Sequence, residues 1–176
     1  MKIKFLLFLS VLFIGCSKVE PRRPMNPKPS TTILQETIKE SKMLNKIEDE
    51  KIINLIKRDS TTNYIASTNG FWYSYVTKIE DEKPTPQSGN EVTIEYNIRD
   101  LNNTVIYNKE ELGNKKHKVD KEDFISALQT GIKLMKVGET ITFVIPSYNA
   151  FGISGDGNKI GINQSIKSTV TLININ

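Results

Sequence analysis

The chain has 176 residues, 38% of them hydrophobic, with 24 Lys and Arg against 20 Asp and Glu and one histidine. That is enough for one domain of ordinary size plus an extension, with apolar residues to fill a core. A net charge of +4 argues neither for nor against a particular partner. The one basic cluster, Lys115-Lys116-His117-Lys118, has no interleaved aromatic residue and is expected to be a solvated loop, so no nucleic-acid partner is expected.

Residues 1–15 have the form of a secretory signal. Lys2 and Lys4 precede an apolar run from Phe5 to Ile14, and small Gly15 precedes Cys16. The run is too short to span a bilayer. Cys16 is the only cysteine, so it has no disulfide partner within the chain. A lone Cys directly after a signal peptide resembles a bacterial lipobox, with Phe13 where Leu is usual. The resemblance implies cleavage after residue 15, acylation of Cys16 (palmitate among the chains) and attachment to a membrane in the cell envelope, facing the periplasm. Several acyl chains at one site hold firmly where one would bind marginally. Residues 16–30 then form a tether: Pro21, Pro24, Pro27 and Pro29 withhold amide donors and fix φ, which makes the stretch extended and semi-rigid.

Residues 31–60 read as a helical extension. Thr32 and Gln35 offer a capping box, and no Pro or Gly occurs between Ile33 and Arg58. Leu34, Ile38, Met43, Leu44, Ile47, Ile52, Ile53, Leu55 and Ile56 recur at intervals near three and four, the pattern of an amphipathic helix, with a break expected near Asp49. Its apolar stripe has to be covered, either by its own domain or by a second copy in a dimer.

Residues 70–176 change to the period of strands. Phe71 to Val76 is aromatic and β-rich, and residues 83–90 are a Pro- and Gly-containing loop. Val92, Ile94 and Tyr96 then alternate with polar residues as in a half-buried strand. Leu101 to Thr104 is a turn, and Val105-Ile106-Tyr107 is a further extended piece. Asp120 is expected to cap a helix whose face is Ile125, Leu128, Ile132 and Met135. A strand over Thr140 to Ile145, a long loop from Pro146 to Gln164 and a closing strand from Ile166 to Ile175 complete an α+β domain, an antiparallel twisted sheet with one short helix.

The residues exclude most hydrolytic chemistry. No Ser or Cys is paired with His117 by a local motif, and His117 itself is expected to be an exposed loop residue. No His/Cys cluster suits a metal, and none is expected. Gly152-Ile153-Ser154-Gly155-Asp156-Gly157 follows a strand but opens no helix, so it fails as a phosphate loop. Glu80, Asp81 and Glu82 are a charged turn. What remains is an apolar and aromatic set that serves either as core alone or as a shallow pocket for a peptide.

The order of segments from Gly70 onward resembles the FKBP-type peptidyl-prolyl isomerases. Gly70-Phe71-Trp72-Tyr73 and Gly89 to Tyr96 look like that family's first strand pair. Gly131 to Glu139 is similar to its helix end and Met-x-x-Gly-(Glu/Gln) turn. Ile145-Pro146-Ser147-Tyr148-Asn149-Ala150-Phe151-Gly152 is similar to its Ile-Pro-x-x-x-Ala-Tyr-Gly box. The whole layout, with lipobox, tether and helical extension, resembles the gliding-motility-associated lipoproteins of that family in Bacteroidetes.

The resemblance implies an FKBP-like fold and a prolyl isomerase that needs no cofactor and acts on proline-containing unfolded or exported proteins. It places Tyr96, Phe124, Ile125, Leu128 and Phe151 in the pocket, with Ile106, Tyr107, Tyr148 and Ile160 at its periphery. Tyr96 stands for the wall tyrosine. The Ile125 amide stands for the donor to a substrate carbonyl. Phe151 keeps a ring but lacks the family's hydroxyl. Leu128 replaces the Trp that floors the pocket, Ile106-Tyr107 replaces Phe-Asp, and Gly161-Ile162 replaces Pro-Pro after Ile160. The same resemblance allows a non-catalytic use, in which the groove binds unfolded segments as a chaperone or structural subunit of an envelope machine.

Overall fold

The computed structural model describes residues 31–176. The expected signal peptide, Cys16 and the tether lie outside the described residues. Helix α1, Thr31–Arg58, is continuous, with Lys57 and Arg58 in its last turn, where cations offset the negative end of the helix. Thr32, expected at its N-cap, lies within that span. The helix does not break at Asp49, because Glu48 and Asp49 are half-buried and engaged by the rest of the fold. Residues 39–176 form a compact unit. In the first turns of α1, Leu34 and Ile38 are exposed. In the compact unit Ile52, on the same helix, is fully buried.

The sheet follows from alternation. Its strands are β1 (Ile65–Ala66), β2 (Trp72–Thr77), β3 (Glu91–Tyr96), β4 (Ile98–Arg99), β5 (Val105–Tyr107), β6 (Lys115–Lys118), β7 (Thr140–Ile145) and β8 (Ile166–Ile175). They lie in the order β1-β2-β7-β8-β3-β6, with β4 beside β5 and β8, and every pairing is antiparallel. Val92 and Ile94 on β3, Ile141, Phe143 and Ile145 on β7, and Val170 and Leu172 on β8 are completely buried on one face. Thr140 with Thr171 and Thr142 with Thr169 form hydroxyl pairs at 2.9 Å on the other.

Two short helices complete the fold: α2 (Lys109–Leu112), capped by Asn108, and α3 (Ser126–Ile132). Leu128, Ile132 and the following Met135 are fully buried in the same core as the sheet residues. Each such side chain contributes on the order of 2 kcal/mol. Helix α3 can lie close to β7 because residue 131 is glycine: a Cβ there would sit 2.4 Å from Phe143 Cε1. The helix is shorter than the spacing of apolar residues suggests. Asp120 has φ 58°, not the extended backbone of an N-cap, and its carboxylate instead accepts from Lys133 Nζ at 3.0 Å. Met135 joins the core from the turn after α3. Buried Glu139 fixes that turn by accepting from the amides of Lys136 (2.8 Å) and Ile79 (3.0 Å).

The basic cluster is not a solvated loop. Lys115–Lys118 is edge strand β6, paired with β3. Lys116 and Lys118 point outward, as charged residues do on a protected sheet edge, while His117 turns inward and is 1% exposed. His117 is therefore a core residue and not an exposed one.

Candidate functional site

Three segments converge at one end of the core. Strand β3 ends at Tyr96. The residues Asp123-Phe124-Ile125 lead into α3, with Ile125 at its N-cap. The loop after β7 opens with a 3₁₀ turn, Ser147–Asn149, and delivers Ala150 and Phe151. Together with Lys115 of β6 these residues line a cleft of about 340 Å³.

Its walls are rings. Tyr96 and Phe124 meet edge to face, 5.5 Å between centroids at 90°, a geometry that adds to simple burial. Behind Phe124 lies the His117 ring, 5.2 Å away. The Lys115 ammonium stands 5.1 Å from the Phe124 centroid, a cation over an aromatic face. Phe151 is half-buried and packs against the main core.

The cleft carries few polar groups. Burial raises the Tyr96 phenol above its ordinary value, so it stays protonated and is a hydrogen-bond donor. The Ile125 amide has no backbone acceptor among the described residues, as expected for the first amides of a helix. Burial is also the largest influence on His117 and lowers its pKa, with Lys115 acting in the same direction and Glu122, 3.7 Å from Nδ1, opposing both. His117 is therefore neutral at pH 7 and supports Phe124 as an apolar ring.

The structure brings Tyr96, Phe124, Ile125 and Phe151 together at this cleft and leaves the remaining named residues elsewhere. Leu128 is fully buried in the core and does not reach the lining. It lies one helical turn beyond Ile125, and a leucine there ends within the core, so the cleft has no large floor. Ile106 is half-buried against the core. Tyr107 donates its hydroxyl to Asp156, and the Lys159 ammonium lies 4.6 Å from its ring centroid. Burial is the largest influence on Asp156 and acts to raise its pKa. The Tyr107 hydroxyl and the amides of Asn158 and Ile160 outweigh it and hold the pKa below the usual range. Tyr148 donates to Asp49 of α1 at 2.7 Å, and burial and that bond push its phenol upward. Ile160 is a core residue, 3% exposed.

Sequence reading missed Lys115, Asp123 and Ala150 as lining residues. Lys115 was hidden because three lysines in four residues mask an edge strand. A second, larger cavity of about 530 Å³ lies between residues 61–65 and strands β2 and β7. Its lining mixes Thr61, Thr62, Asn63, Ser74, Lys78 and Thr142 with Tyr64, Ile65, Tyr75 and Val76. Six of its ten lining residues are polar, and the smaller cleft, with its mostly apolar lining, is the better candidate for an apolar ligand.

Comparison with known proteins agrees with this geometry. The family model for FKBP-type peptidyl-prolyl cis-trans isomerases matches residues 82–173. No curated protein sequence matches. Among solved structures, a peptidyl-prolyl cis-trans isomerase from Pseudomonas syringae is similar at 18% identity and a TM-score of 0.60, over 77% of this chain and 95% of that one. FkpA from Escherichia coli is similar at 18% identity and a TM-score of 0.61, over 99% of this chain and 82% of its own. The three FKBP domains of wheat FKBP73 match at 24% identity and a TM-score of 0.55, over 65% of this chain and 48% of that one. At these identities the solved structures establish the fold. The family model spans more than half of the residues, and the chain belongs to the FKBP-type peptidyl-prolyl cis-trans isomerase family.

Proposed function

We propose that this chain is a lipid-anchored prolyl isomerase of the cell envelope. It faces the periplasm from an acylated Cys16 and assists the folding of proline-containing exported proteins, those of gliding motility among them. The observation that carries the catalytic part is the cleft itself, where Tyr96, Phe124 and Phe151 converge beside the Ile125 amide. The envelope part is supported by the lipobox-like sequence at Gly15-Cys16 and the proline-rich tether after it.

Isomerisation needs no nucleophile. The barrier to turning an X-Pro bond, about 18–20 kcal/mol, is the cost of breaking amide resonance, and the uncatalysed step takes tens to hundreds of seconds. The twisted transition state is less polar than either planar isomer, so an apolar, water-poor wall favours it over both. Phe151 and Phe124 supply that wall. The Ile125 amide and the Tyr96 hydroxyl are the donors that orient the peptide carbonyls. A proline-limited refolding reaction tests the proposal: the folded protein should accelerate the slow phase, and an unchanged slow phase would sink it. Fractionation tests the anchor. Cys16→Ala should leave membranes, whereas sedimentation with membranes like the parent would refute the lipid.

A second reading, a binding module that holds unfolded segments without turning the bond, is favoured by one observation. Leu128 lies in the core, so nothing bulky floors the cleft. Binding of a prolyl peptide without acceleration of its isomerisation would select this reading.

A further inference from the structure

The wall that carries Phe151 is held from outside the domain's own sheet. The loop between β7 and β8 leaves the sheet at Pro146 and re-enters it at Ser165-Ile166. Its first turn, Ser147–Asn149, has Pro146 at the N-cap and no side-chain cap of its own. The missing acceptor comes from α1. Glu48 Oε2 accepts the Ser147 amide at 2.7 Å, and Oε1 accepts the Ser147 hydroxyl at 2.6 Å. The same Oε2 accepts the Ser165 hydroxyl at 3.1 Å. One carboxylate thus ties both stems of the loop, 99 and 117 residues away in sequence. Ser147 is 2% exposed, so the bonds to it are shielded from water. From Ser147 the chain continues through bonds to its carbonyl from the amides of Ala150 (2.9 Å) and Gly152 (2.8 Å). Those two amides bracket Phe151. The neighbouring positions are fixed as well: Tyr148 bonds to Asp49, and the Asn149 side chain donates to the carbonyls of Asn69 and Gly70.

We propose that Glu48 is a positioning residue for the prolyl cleft: by closing the two stems of this loop it sets where Phe151 stands against a bound proline. The proposal rests on the reading of the cleft as the prolyl site. It makes the second half of α1 part of the isomerase and not a detachable extension. Misplacing a wall by even an ångström weakens a transition-state contact far more than it weakens the fold.

The experiment compares the parent with Glu48→Ala and Glu48→Gln in the otherwise intact chain. It reads kcat/KM on a short X-Pro peptide together with amide hydrogen exchange, resolved by residue. Glu48→Ala should speed exchange at residues 147–152 and leave the amides of β3 and β8 as in the parent. Its kcat/KM should fall roughly tenfold in the folded protein. Glu48→Gln keeps the length and one acceptor, so it should change both readings in the same direction by less. Exchange at 147–152 that matches the parent overturns the proposal. So does local loosening with full activity, and so does loosening spread evenly over the sheet, which would mark Glu48 as ordinary packing. If Glu48→Ala does not fold, Glu48→Gln decides by the same readings. If the parent itself fails to isomerise the peptide, the proposed function has failed. The positioning claim is then read from exchange and from the affinity of the same peptide, which Glu48→Ala should weaken.

Discussion

The two aromatic walls of the cleft are built by different physics. Phe124 is held by rings: Tyr96 meets its edge, His117 lies behind it and Lys115 caps it. Phe151 is held by its backbone, through a loop turn whose bonds end on the Glu48 side chain. Packing of the first kind is a collective property of the core, and its loss is felt as lost stability. Hydrogen bonding of the second kind fixes a position at little cost to the whole, and its loss is felt at the site. A domain can thus fix two walls against the same substrate by different means.

The comparison is broken most directly by removing each ring. Phe124→Ala loses two ring partners as well as its own burial and should cost about 2–3 kcal/mol, below the range for a fully enclosed ring. Thermal unfolding measures it. Phe151→Ala should unfold much closer to the parent. Its kcat/KM on an X-Pro peptide should nevertheless fall tenfold or more, about 1.4 kcal/mol of transition-state stabilisation. Equal stability losses with equal activity losses would erase the distinction between the walls.

Next in size is Leu128→Trp. From the resemblance alone, an indole there should deepen the floor and raise activity. In the structure Leu128 has no exposed surface, and a larger ring must push into a filled core. The expected outcome is about 1–3 kcal/mol of destabilisation, from overpacking, read by denaturant unfolding. A stable and more active variant would show that the core can open towards the cleft.

Acid should weaken the Phe124 wall selectively. The pKa of His117 is lower folded than unfolded, first through burial and then through Lys115, against the pull of Glu122. Its contribution to stability is therefore complete above the unfolded value of about 6.5. It falls as pH drops from there towards the folded value, because the unfolded chain binds the extra proton. The thermal midpoint should decline between neutral and mildly acidic pH, and His117→Phe should flatten that part of the profile. An unchanged profile in His117→Phe would remove the histidine from the account. The smallest effect is expected at Lys115. Lys115→Met removes the cation from the Phe124 face and should change peptide affinity or stability by only about 0.5–1 kcal/mol.

Much of the fold was legible because burial and period coincide. Alternation in Val92-Thr93-Ile94 and in Thr140 to Ile145 marks β3 and β7, and the Pro-free, Gly-free run after Ile33 marks α1. The reading failed where one local signal overrode another. Three lysines around His117 concealed an edge strand whose inward positions are a histidine and a half-buried lysine. The apolar spacing from Ile125 to Met135 suggested a longer helix, although Met135 reaches the core from a turn. At the site, Tyr96, Phe124, Ile125 and Phe151 were named from a family pattern, and the chain brings them together. Lys115 escaped because it rides on the concealed strand. Glu48 escaped for a different reason: its partners are about a hundred residues away, and no short-range pattern encodes a carboxylate that caps a distant turn.

The central claim is that the cleft between Phe124 and Phe151 turns prolyl bonds. Its most direct test is the isomerisation rate of an X-Pro peptide with the folded parent and with Phe151→Ala, with unfolding followed on the same samples. The account predicts acceleration by the parent, and a tenfold or larger loss in Phe151→Ala while that variant remains folded. A folded parent that leaves the peptide at its uncatalysed rate would contradict it.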